Sequence, residues 1–159
     1  FIAMCFWNFL GAGIFGFAIN PPIALYYIQG LNTTAVHGHA ALFGVYGILG
    51  IGLILFVLRG LYADRHWNYK ILGWSFWLIN IGLFVMLVGS LLPIGILQAV
   101  EAIQNGYWSA RSEEFMHTDT MQIIRWLRIP GDTLLAIGEL LLVYFIIGLK
   151  TGWSLREKR

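Results

Sequence analysis

Residues 1–58 contain no Asp, Glu, Lys or Arg, and that single fact restricts the chain more than any other. A helix needs about 20 apolar residues to cross the hydrocarbon of a bilayer, so the stretch is too long for one crossing and too apolar for a water-facing surface. Asn20-Pro21-Pro22 and Gln29-Gly30-Leu31-Asn32-Thr33-Thr34 divide it. The first span is expected over residues 2–29, kinked at the two prolines, which lack a backbone donor. Gly11, Gly13 and Gly16 give it a face that another helix can approach closely. The second is expected over 34–59, with Thr33 or Thr34 as its N-cap. Its glycines, Gly38, Gly44, Gly47, Gly50 and Gly52, fit either a flat ligand lying close to the backbone or ordinary helix packing.

The rest of the chain continues the pattern. A polar turn at 59–70 leads to a third uncharged span over 71–99, with Asn80 inside it and Pro93-Ile94-Gly95 bending its last turns. Residues 100–128 form the one sizeable polar stretch. In it Ser112-Glu113-Glu114 reads as a capped helix start, and Met121, Ile124 and Leu127 recur at helical spacing. They predict an interfacial helix over 112–128, broken at Ile129-Pro130-Gly131 before a fourth span over 132–150. The fold class expected is all-α: polytopic membrane helices in one membrane domain covering 1–159.

Composition agrees, with 58% hydrophobic and 11% charged residues and a mean hydropathy of +0.73; soluble domains carry about a quarter charged residues. A formal net charge of +2 with no basic patch excludes nucleic acid as a partner and leaves lipid. The single Cys5 excludes an intrachain disulfide. Because the chain opens at Phe1 in mid-hydrophobic stride, it is expected to be one section of a longer polypeptide. The 59–70 turn and the tail beyond 149 hold seven of the ten Lys and Arg, which places both, and the C-terminus, on the cytoplasmic side.

The chemistry-bearing stretch is Val36-His37-Gly38-His39-Ala40, at the outer mouth of the second span. Helical residues turn about 100° each, so His37 and His39 point about 200° apart and cannot share one mononuclear metal. They suit a helix wedged between two planar cofactors, with one imidazole for each. The alternative is two histidines, each hydrogen-bonded to a neighbouring helix. Ionisable side chains inside a membrane usually mark function. Asp132 and Glu139, seven apart, share one face of the fourth helix. Asp132 reads as a cap, and Glu139 as either a proton-handling group or an interhelical hydrogen-bond partner. Arg125 and Arg128 precede that helix on the outer side, as membrane-surface arginines. Tyr26, Tyr27, Trp108 and Trp126 read as interfacial belt residues.

The run His37-Gly38-His39-Ala40-Ala41-Leu42-Phe43-Gly44-Val45-Tyr46-Gly47 resembles the tenth core helix of haem-copper oxidase superfamily catalytic subunits. Its wording is nearest to nitric oxide reductases of the quinol-dependent type. Phe6-Trp7-Asn8-Phe9-Leu10-Gly11-Ala12-Gly13 and Arg125-Trp126-Leu127-Arg128-Ile129-Pro130-Gly131-Asp132-Thr133 support it. The resemblance covers essentially the whole chain, as the last four of twelve core helices in a bacterial cytoplasmic membrane. It implies two b-type haems, with His37 on the high-spin haem iron and His39 on the low-spin haem iron. It also implies a non-haem iron whose ligands lie outside this chain, since His66 and His117 fall in loops. Arg125 and Arg128 would meet haem propionates, and Asp132 a quinol headgroup. The implied reaction reduces nitric oxide to nitrous oxide, with electrons from quinol, in association with the remainder of the catalytic subunit. An oxygen-reducing oxidase, a cytochrome c-dependent reductase, and a transporter or structural subunit whose histidines bind nothing are the competing readings.

Overall fold

The computed structural model describes residues 1–63 and 65–156; residues 157–159 of the expected basic tail at 155–159, and Asp64 of the polar turn, lie outside the described residues. Among the described residues, four helices are long and apolar enough to cross a membrane. They are α1 (Ile2–Ile19), α3 (Asn32–Leu61), α4 (Tyr69–Asn105), and a fourth that joins α6 (Asp119–Trp126) to α7 (Arg128–Thr151). Two shorter helices, α2 (Pro22–Ile28) and α5 (Glu113–Met116), lie between spans. The spans alternate in direction, so the 62–68 turn and the residues after α7 meet at one end. There β1 (His66–Trp67) pairs antiparallel with β2 (Leu155–Arg156), and Trp67 packs edge-to-face on Phe145 at 5.4 Å.

Several boundaries differ from those expected, each for a local reason. The tandem prolines break the first span instead of kinking it. Pro21 is extended (φ −53°, ψ 141°), as a residue preceding proline must be, and α2 restarts with Pro22 in its first turn. The start of α3 is not capped by a threonine. Its Asn32 N–H donates to Gln98 Oε1 of α4 at 2.9 Å, while Thr34 Oγ1 accepts the Gly30 N–H. α4 runs past the expected end at 99 to Asn105, continuing through Pro93. A wide π turn at Leu87–Leu91 immediately precedes it, relaxing the ladder where a proline ring would collide with the carbonyl four residues back. The expected interfacial helix is broken at His117–Thr118. Its second part, α6, runs through Leu127 into α7, because Pro130 lies in the first turn of α7, where no N–H is missed.

Two seams hold the bundle. On one, α4 and α7 meet backbone to backbone. A Cβ on Gly82 would lie 2.5 Å from Leu135 N, one on Gly131 2.5 Å from Met86 N, and one on Gly138 2.8 Å from Ile79 N. Ser75 Oγ donates to the Gly138 carbonyl at 2.8 Å. Small residues at such crossings substitute packing for the hydrophobic drive that lipid removes. On the other seam α1 lies on α3, with Gly11 against Ala40 and Gly44 against the Trp7 ring. Trp7, fully buried, donates from its indole to Asn80 Oδ1 of α4 at 2.9 Å. Trp7, Val36, Ala40, Leu83, Met86 and Leu87 form the central core.

Candidate functional site

Val36 and Ala40 are completely buried and mark the stripe of α3 that faces the bundle. At about 100° per residue, His37 and His39 flank the middle of that stripe by about 80° on either side. The i, i+2 spacing thus puts the two rings beside the seam, one on each flank. Both are half-buried.

On the first flank the His37 ring leans on α1. Its Nδ1–H donates to the Gly11 carbonyl at 2.9 Å, and a Cβ on Gly16 would come within 3.1 Å of His37 Cε1. Glycine at 16 is therefore a seat for the ring, and α1 supplies a backbone acceptor that fixes its orientation. Both helices are π-wound nearby, over Asn8–Phe15 and His39–Gly47, and such wide turns concentrate at functional positions. On the second flank the His39 Nδ1–H donates to the Ala35 carbonyl one turn back at 2.8 Å. A carbonyl only accepts, so in both rings Nδ1 carries the proton and Nε2 keeps its lone pair. An imidazole fixed through its other nitrogen in this way is the usual arrangement of a metal-ligating histidine.

His39 also opens onto a cleft of about 340 Å³. Phe43 lines it from α3, Leu83 and Met86 from α4, and Arg128, Asp132, Leu135, Ala136 and Glu139 from α7. Four of the singled-out residues, His39, Arg128, Asp132 and Glu139, therefore share one cavity, although the chain separates His39 from the others by 89 to 100 positions. Asp132 is not a cap. It accepts the Arg128 Nε–H at 2.9 Å in the second turn of α7, and among the described residues the outer guanidinium nitrogens of Arg128 have no other hydrogen-bond partner. Glu139 is exposed on the chain, near the middle of α7.

Arg125 stands apart. It lies on α6 outside the cleft, and its Nη1 donates to the Met116 carbonyl at 3.4 Å. His66 is exposed in β1, and His117 is exposed beside Glu113, 3.8 Å away. Among the described residues no three of His, Cys, Asp and Glu come together as a metal centre. Sequence reasoning missed the roles of the Gly11 carbonyl and of Gly16 as acceptor and seat for His37. The signal was the Gly11/Gly16 spacing on a helix that had to pass the histidines.

The family model described as cytochrome C and quinol oxidase polypeptide I matches residues 1–134. Over 141 residues the chain is 32% identical to a nitric oxide reductase subunit of Stutzerimonas stutzeri, an alignment covering 86% of this chain and 29% of that protein. The chain thus spans less than a third of the length of that relative. With four apolar helices of spanning length, the chain is a multi-pass membrane protein.

Proposed function

We propose, from the premise that this chain belongs to the cytochrome c and quinol oxidase polypeptide I family, that it is the haem-ligating section of a membrane nitric oxide reductase. The family implies haem and metal cofactors, and the residues present fit such groups. One observation carries the reading. Each of two histidines, on opposite flanks of one helix, donates Nδ1–H to a backbone carbonyl, which leaves its Nε2 outside that bond. His37 would hold the high-spin haem iron and His39 the low-spin haem iron. Haem iron supplies the electron-transfer and ligand-activating chemistry when bound; the chain orients the rings and shapes the walls. The cleft beside His39 has the volume of a small ligand site and forms one wall of the low-spin pocket. Arg128, with only Nε spent on Asp132, has donors left for a propionate, a partner that guanidinium suits.

The whole enzyme reduces two nitric oxide molecules, with two electrons and two protons, to nitrous oxide and water. The residues that would hold a non-haem iron, and any further ligand to the low-spin haem, would come from the remainder of the catalytic subunit. The likeness to a nitric oxide reductase supports the reductase over an oxygen-reducing oxidase. The electron donor in this reading is quinol, supported by the wording of the histidine motif and by Asp132 at the rim of the cleft. The enzyme lies in a bacterial inner membrane, with the strand-paired end, rich in Lys and Arg, in the cytoplasm. A reduced-minus-oxidised optical spectrum of the complete complex tests this: it should show one low-spin and one high-spin b-type haem. A colourless complex would leave the histidines as interhelical hydrogen-bond partners.

A further inference from the structure

The function proposed above leaves one carboxyl without a task. Glu139 is the twelfth of the 24 residues in α7, about 16 Å along a helix rising 1.5 Å per residue, and so near the middle of the span. Its neighbours one turn away on the same helix are Leu135, Ala136, Leu142 and Val143, all apolar. Among the described residues it has no hydrogen-bond or ion-pair partner, the ion pairs being His117 with Glu113 and Arg128 with Asp132. A carboxyl at this depth is costly unless something recompenses it, and for that reason intramembrane carboxyls tend to have functions.

The cleft gives its direction. Glu139 lines the same cavity as His39, whereas the His37 ring turns the other way, onto α1. The other charged or titratable groups in that cavity are His39 from α3 and Arg128 and Asp132 from α7; α4 contributes only Leu83 and Met86. Arg128 does not offset Glu139, because it is bonded to Asp132 and begins eleven residues, about 16 Å, further out along the helix.

We propose that Glu139 sets the reduction potential of the haem on His39. An ionised carboxyl beside the haem stabilises the more positive, oxidised iron and opposes the arriving electron, and local charge is among the levers by which a protein tunes a haem. Glu139 is thus a positioning charge for electron entry, not a group that touches the reacting nitrogen. The inference rests on His39 being the low-spin ligand.

The test is a spectroelectrochemical titration of the complete haem-loaded complex. Glu139→Gln should shift the low-spin haem equilibrium toward the reduced form about tenfold, a rise of about 59 mV for a one-electron couple. The high-spin haem should move much less, since its ligand lies on the far flank. Glu139→Asp keeps the charge and should stay near the wild-type potential. Should the glutamine variant not assemble, Glu139→Leu suits a lipid-facing helix and should give the same upward shift. Unchanged low-spin potentials in the glutamine or leucine variant would overturn the proposal, as would an equal rise in the aspartate variant, which would reveal packing instead of charge. A low-spin haem that survives His39→Ala would refute the ligand assignment itself, a separate result.

Discussion

The two flanks of α3 carry the same residue in the same tautomer, yet they are built differently. The His37 flank is closed by this chain: α1 supplies the Gly11 acceptor and leaves the Gly16 seat. The His39 flank is self-supporting at the ring, through Ala35 one turn back, and then opens into a cavity bordered by Arg128, Asp132 and Glu139. A short spacing in sequence thus separates an apolar, backbone-defined environment from a charged, side-chain-defined one. The division suits the two irons of the proposed function: the one on His37 would bind gas and need a fixed ligand, and the one on His39 would pass electrons and need tunable charge around it.

The largest expected effect breaks the comparison outright. His39→Ala should abolish the low-spin haem signal in the electron paramagnetic resonance spectrum and leave part of the high-spin signal, and His37→Ala should do the reverse. Loss of both signals, or of neither, from either variant would dissolve the distinction between flanks. Asp132→Asn comes next. It weakens an i, i+4 ion pair with Arg128, an interaction worth about 0.3–0.5 kcal/mol where both groups are partly exposed, and should slow quinol-driven turnover about tenfold while turnover with an artificial donor changes little. Equal slowing with both donors would leave Asp132 with a merely structural pairing.

Gly16→Ala sharpens the comparison from the other side. The added Cβ must displace the His37 ring by a few tenths of an ångström. The optical band of the high-spin haem should shift, while the low-spin band stays in place; movement of the low-spin band alone would contradict the assignment of flanks. The smallest effect belongs to Trp7→Phe, which removes the indole bond to Asn80. Hydrogen bonds between membrane helices average about 0.6 kcal/mol, so the variant should lose about that much stability in a detergent-unfolding titration, with both haem spectra intact.

How much of this was legible in residue order depends on the range of the forces involved. The four spans followed from the distribution of charge, because hydrocarbon excludes charge wherever it falls. The opposed histidines followed from helical rotation alone. Boundaries were less legible, since non-local contacts set them: Gln98 holds the start of α3 from 66 residues away. The cleft was half legible. Seven-residue spacing put Asp132 and Glu139 on one face, but nothing local indicated that the face would turn toward His39 or that Arg125 would turn away. Those outcomes depend on the Gly82/Gly131/Gly138 seam, which sets the rotation of α7 against α4. The glycines of α3 divided in the same manner. Gly44 serves packing against Trp7, whereas Gly38 and Gly50 face open space on this chain.

The central claim is that one helix presents an imidazole to iron on each flank. An experimental structure of the complete, haem-loaded catalytic subunit measures this directly. The account predicts Nε2 of His37 and Nε2 of His39 at bonding distance from two different haem irons, with Nδ1 of each still on its backbone carbonyl. Haem present in the enzyme with either Nε2 unligated would contradict it.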